Sequence, residues 1–109
     1  MPYRARVNER TLLNLPGFHS GAFVYVYVDD TSDRAPETGN NLDPFLALEI
    51  ADCNRRIALE FDIATDEERE NSLHKLDTLV AALGAFREAL VAEFEPFDRR
   101  AVGLAAARA

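Results

Sequence analysis

Residues 65–96, TDEERENSLHKLDTLVAALGAFREALVAEFEP, decide the fold because they carry the longest helical pattern in the chain. Thr65 and Glu68 form the pattern of a capping box, and Pro96 cannot continue a helical hydrogen-bond ladder. The stretch therefore predicts one helix over residues 66–94, about 43 Å long at 1.5 Å per residue. At 100° per residue its large apolar residues fall on one side, the leucine arc: Leu76, Leu79, Val80, Leu83, Phe86, Leu90 and Phe94.

The opposite side of this helix carries small residues, the alanine flank: Thr78, Ala82, Ala85, Ala89 and Ala92. Small side chains at this spacing allow a second helix to approach closely, often the same helix of another copy. Alanine is also the best helix former, so these methyl groups could simply face water. The alanine flank is therefore a candidate oligomer contact, with both interpretations open.

Residues 45–52 and 55–63 predict a β-hairpin whose register can be derived. A two-residue turn at Cys53-Asn54 pairs Ile50 with Ile57, and this register makes one side of the hairpin wholly apolar. It also pairs Leu48 with Leu59 and Leu46 with Phe61. We expect the apolar side of the hairpin to receive the leucine arc.

The first part of the chain adds two predicted strands. Residues 22–28, AFVYVYV, predict a strand that is apolar on both faces and therefore covered on both, by the N-terminal segment or a second subunit. Residues 4–12 predict a weaker strand, and Pro16-Gly17 predicts a turn after it. The expected fold is α+β, an antiparallel sheet of three or four strands packed on one long C-terminal helix. We predict a single domain over residues 1–109, with a mobile polar loop at 29–44 and a frayed tail at 99–109.

Charge and composition exclude several classes of function. The formal net charge is −7, and residues 29–98 carry 18 acidic and 6 basic residues, so direct nucleic-acid binding is not expected. A single cysteine excludes an internal disulfide. No apolar run reaches the roughly 20 residues of a membrane span, and no signal-peptide core is present. We expect a cytoplasmic protein that does not enter a membrane.

The sequence contains few residue patterns that indicate a catalytic or ligand-binding site. It has no glycine-rich phosphate loop, acid–base dyad or serine nucleophile motif, and neither histidine stands at a metal-ligand spacing from Cys53. We therefore predict no catalytic residue, no cofactor and no metal site. Five polar residues that core packing does not require form a candidate interaction site if the fold brings them together: His19, Asn54, Arg55, Arg56 and His74.

Three stretches carry a resemblance to known proteins: NLPGFHS at 14–20, DCNRRI at 52–57 and NSLHKLDTL at 71–79. Together they resemble a group of small, mostly uncharacterised proteins from phages and prophages of actinobacteria. The resemblance implies a virus-encoded protein that acts inside a bacterial host cell. It brings neither an activity nor any functional residue.

These observations favour a non-enzymatic interaction protein that forms a homo-oligomer, most simply a homodimer, and acts on a host or phage protein. One alternative is a small enzyme or anionic-ligand-binding module that uses His19, Arg55, Arg56 and His74. Another is an acidic mimic of a nucleic acid, which the charge of residues 29–98 motivates.

Overall fold

A computed structural model describes residues 4–32 and 43–108 and confirms the α+β architecture. Its strands form one antiparallel sheet in chain order, and one long helix follows them. The elements are β1 (Arg4–Leu12), β2 (Ala22–Asp30), β3 (Leu46–Asp52), β4 (Arg55–Leu59) and α1 (Asp66–Arg108). The chain divides into two compact units whose boundary lies between Arg69 and Glu70.

The hairpin of β3 and β4 has the predicted register, with Ile50 opposite Ile57 and Cys53-Asn54 at the turn. The predicted pair of Leu46 with Phe61 is wrong, because β4 ends at Leu59. The backbone beyond β4 is used to enter the helix instead. The Ile63 carbonyl accepts a hydrogen bond from the Arg69 side chain at 2.8 Å, which ties this segment to the first turns of the helix.

β1 has the predicted bounds, and β2 is two residues longer than predicted. β1 pairs with β2 from Arg4 to Leu12, with a register shift between Ala5 and Val7. β2 extends to Asp30, so the first two residues of the predicted loop 29–44 belong to a strand. Residues 33–42 of that loop lie outside the described residues.

The two faces of the sheet differ in chemistry. One, the valine face, carries Val24, Val26, Val28, Leu46, Leu48 and Ile50, which the pairing of β2 with β3 places side by side. All six are only half-buried. On the other face Phe23 is buried, and the Arg10 guanidinium lies over its ring, 3.9 Å from the centroid. β1 is thus an edge strand, and the Arg10 side chain that it carries covers Phe23. The N-terminal segment therefore does not lie across a face of the sheet, which was one of the two predicted ways of covering β2.

The helix begins as predicted. The Glu68 N–H donates to Thr65 Oγ1 at 3.1 Å, and Glu68 Oε1 accepts the N–H groups of Ala64 and Thr65 at 2.9 and 3.1 Å. These bonds satisfy backbone groups that a helix start leaves without partners, which fixes α1 at Asp66.

The predicted end of the helix is wrong. α1 continues through Pro96 to Arg108, so residues 99–108 are helical turns and not a frayed tail. Proline removes one hydrogen bond, to the Ala92 carbonyl, but helix formers on both sides keep the ladder going. Arg99 pairs with Glu95 at 3.6 Å, and Arg100 pairs with Glu93 at 3.4 Å across the proline.

The side chains of α1 are not buried. No described residue from Asp66 to Arg108 is buried. The leucine arc, expected to be covered, is open to solvent, with exposure ranging from 40% at Leu76 to 67% at Phe86 and with Leu79 half-buried. The helix also lacks a segment apolar enough to cross a membrane.

Candidate functional site

Three chemically different side chains meet at the end of the β3–β4 hairpin: His19, Asp52 and Cys53, here called the tip cluster. The imidazole Nδ1 of His19 lies 3.8 Å from Cys53 Sγ, and its Nε2 lies 3.9 Å from Asp52 Oδ1. One donor atom from each residue lies within 4.8 Å of the other two. All three residues are exposed, so the cluster faces solvent.

The loop between β1 and β2 delivers His19 to this position. Phe18 N–H donates to the Leu15 carbonyl at 3.1 Å, and Gly17 has a φ of 97°. Proline followed by glycine at positive φ is the pattern of a type II turn, so the predicted Pro16-Gly17 turn is present. The Asn14 side-chain amide then donates to the His19 carbonyl at 2.9 Å and holds the end of the loop.

A close backbone approach joins this loop to the hairpin. Cys53 N–H donates to the Gly21 carbonyl at 2.9 Å. A Cβ added to Gly21 would lie 3.2 Å from Cys53 Cα, which is closer than ordinary contact. Glycine at this position therefore permits the approach, and Cys53 itself takes a left-handed φ of 56°.

Donor groups lie against both nitrogens of the His19 ring. Gly21 N–H donates to Nδ1 at 3.3 Å, and the Asn14 side-chain amide nitrogen lies 3.3 Å from Nε2. Nε2 faces the Asp52 carboxylate, and the lone pair of Nδ1 is near the thiol. The arrangement can hold a cation among three donors.

The structure assembles only part of the predicted polar site. His19 reaches the turn that contains Asn54, and Arg55 lies opposite Asp52 in the hairpin. Arg56 Nη1 lies 3.9 Å from Glu49 Oε1, a pairing that occupies it on the sheet. His74 belongs to α1, where its Nε2 is 3.4 Å from Thr78 Oγ1.

The sequence pattern did not predict that Asp52 and Cys53 lie beside His19. The thiol and the imidazole are 34 residues apart, and no short spacing links them. His19 and Cys53 both lie at turns, and the sheet register places these two turns at the same end of the sheet. Only the pairing of β2 with both neighbours reveals that arrangement.

A second candidate feature lies on α1 and has a period of seven. Five apolar residues, the heptad stripe, stand at intervals of seven from one end to the other: Leu76, Leu83, Leu90, Phe97 and Leu104. Their exposed fractions lie between 40% and 60%. Phe97 and Leu104 lie beyond Pro96, outside the predicted helix, so the last two members of the stripe were not predicted. A sustained seven-residue apolar repeat is the pattern of helices that associate side by side.

The predicted alanine flank is also exposed along α1, at Thr78, Ala82, Ala85, Ala89 and Ala92. Exposure alone does not distinguish a contact surface from a solvated one. The heptad stripe is the more apolar of the two surfaces, because its members are leucine and phenylalanine.

Comparison with known proteins finds no family model, curated protein or solved structure that matches this chain.

Proposed function

We propose that this protein is a non-enzymatic interaction protein that self-associates through the heptad stripe of α1. The observation that carries the proposal is a helix of 43 residues without one buried side chain, although it bears a regular apolar repeat. A helix gains most of its stability in a protein from packing of its apolar face. A second copy supplies a matching apolar face with the same period.

The energies are of the right size for a dimer. Complete burial of a leucine or phenylalanine side chain is worth about 1.5–3 kcal/mol, so covering a half-exposed one is worth about 1 kcal/mol. Two stripes offer ten such side chains, and Val80, Phe86 and Phe94 flank them on each copy. The sum is comparable with the roughly 4–15 kcal/mol that association costs. Stable pairing therefore needs most of the stripe, including the turns beyond Pro96.

The charges of α1 favour an antiparallel pair. Asp66, Glu67 and Glu68 make the first turn acidic, and Arg108 makes the last turn basic. An antiparallel arrangement centred on Leu90 places the acidic start of one helix near the basic end of the other. It also aligns the helix dipoles favourably, whereas a parallel pair would place like charges together.

The mass in solution tests the proposal. We expect light scattering to give twice the 12.2 kDa of one chain, because the stripe is covered only in a dimer. Leu90→Glu places a charge at the centre of the stripe, and we expect it to shift the protein to the monomer.

Ala85→Glu is the matched control, since it adds the same charge on the alanine flank. The proposal expects this variant to remain dimeric. A monomeric wild-type chain would refute self-association, and a dimer that Ala85→Glu dissociates while Leu90→Glu does not would move the contact to the alanine flank.

The resemblance to phage proteins motivates a second part of the proposal, that a virus-encoded dimer binds a host or phage protein. The assembled dimer is the form that would present its sheet to such a partner. Affinity capture from an actinobacterial lysate, with Leu90→Glu as the second bait, tests this. A partner retained by the wild type and lost with the variant supports a dimer-dependent interaction, and equal recovery with both baits contradicts it.

A further inference from the structure

We propose that the tip cluster binds one divalent transition-metal ion, with Zn²⁺ as the best match. The proposal rests on His19, Asp52 and Cys53 and is independent of helix association. It replaces the expectation, drawn from sequence spacing, that the chain has no metal site.

The donor types select the class of ion. A thiolate, an imidazole nitrogen and a carboxylate oxygen together suit Zn²⁺ and similar borderline ions, whereas Mg²⁺ and Ca²⁺ prefer oxygen donors alone. The thiolate and the carboxylate also supply two negative charges, which balance the charge of a divalent cation.

The separations are close to those of a coordinated ion. Zn²⁺ lies about 2.3 Å from sulfur and about 2.0–2.2 Å from nitrogen or oxygen, so tetrahedral ligands stand roughly 3.3–3.8 Å apart. His19 Nδ1 lies 3.8 Å from Cys53 Sγ, and one donor atom from each of the three residues lies within 4.8 Å of the other two. Because all three side chains are exposed, their rotation can close the remaining gap of about 1 Å and bring the three donors onto one ion.

The backbone beneath the cluster is already fixed. The Cys53–Gly21 hydrogen bond and the close approach that glycine permits hold the two loops together. The Asn14 amide donates to the His19 carbonyl and so holds the backbone that carries this ligand. The outward-facing fourth position would be filled by water.

Cobalt titration of the full-length protein, kept reduced with a phosphine, tests the site. Co²⁺ takes the place of Zn²⁺ and reports its ligands by colour. We expect a charge-transfer band from a thiolate, saturation at one ion per chain, and loss of the band when Zn²⁺ is added. Affinity should fall as the pH is lowered, because protons compete for the thiolate and the imidazole.

Variants separate the cluster from adventitious binding. Cys53→Ser should abolish the band, and His19→Gln and Asp52→Asn should each weaken Co²⁺ binding by at least about 10-fold. His74→Gln is the matched control and should bind as the wild type does. Because the three cluster residues are exposed, we expect these changes to leave the fold intact. The proposal is overturned by the absence of a charge-transfer band, by a band that survives unchanged in His19→Gln, or by equal losses in His74→Gln.

Discussion

The Asp29 side chain joins the end of β2 to Phe45, the residue that precedes β3. It is buried, and its Oδ2 accepts the Phe45 N–H at 2.7 Å while its Oδ1 accepts the Tyr27 hydroxyl at 2.9 Å. The Asp29 N–H also donates to the Phe45 carbonyl at 3.0 Å. The Tyr27 and Phe45 rings pack over this junction, 5.3 Å apart. The sequence placed Asp29 in a polar loop, because an acidic residue after a strand is typical of a surface turn.

The neighbouring Asp30 gives the fold a dependence on pH. Hydrogen bonds from the Ser32 side chain and backbone, with the charges of Arg6 and Arg4, hold the Asp30 pKa below its ordinary value. A lowered pKa in the folded state means that Asp30 stabilises the fold above the unfolded pKa, and that this contribution is lost as the pH falls through the folded pKa.

Ser32→Ala removes the largest cause of this shift and should raise the Asp30 pKa toward 3.8, the ordinary value. An NMR titration of the Asp30 carboxyl carbon measures it directly. Arg4→Gln, which removes the smallest contribution, should raise the pKa less. A titration midpoint that Ser32→Ala leaves in place would contradict this assignment.

At the scale of elements, sequence patterns that span a few residues predicted where the helix begins better than where it ends. The capping box located Asp66, and the apolar match across Cys53-Asn54 located the hairpin register, because both depend on residues a few positions apart. The end of α1 depends on whether one missing hydrogen bond at Pro96 outweighs the helical preference of the next twelve residues. The tip cluster depends on two turns brought together by the sheet, which no local pattern contains.

Pro96 is therefore a weak point within a continuous helix. Pro96→Ala restores the hydrogen bond to the Ala92 carbonyl and should raise the free energy of unfolding by up to about 3 kcal/mol. Chemical denaturation at one fixed protein concentration measures this change. Glu95→Ala is the control next to it, and the loss of its pair with Arg99 should change stability by no more than about 0.5 kcal/mol. A destabilised Pro96→Ala protein would indicate that the proline shapes the contact with another chain.

At the scale of the whole molecule, few side chains are removed from water. Within the described ranges, the buried apolar residues are Ala22, Phe23 and Ala51, and the valine face is half-covered. A chain of this size normally buries a larger core. Stability that comes from association depends on protein concentration by mass action.

About a hundred-fold dilution should therefore lower the thermal midpoint followed by circular dichroism at the helix band. Leu90→Glu should melt at a lower temperature that does not change with concentration. Identical midpoints for the wild type across the dilution series would show that the single chain is stable by itself.

The sheet has two edge strands, and both carry arginines in a chain that is otherwise acidic. Arg4, Arg6 and Arg10 lie on β1, and Arg55 and Arg56 lie on β4. Two copies that approached edge strand to edge strand would bring these arginines together. Repulsion between like charges opposes backbone pairing between the two edges and so opposes the growth of sheets into fibrils. Arginines on both edge strands therefore oppose open-ended association of this chain, and we expect their neutralisation to favour edge-to-edge pairing of sheets.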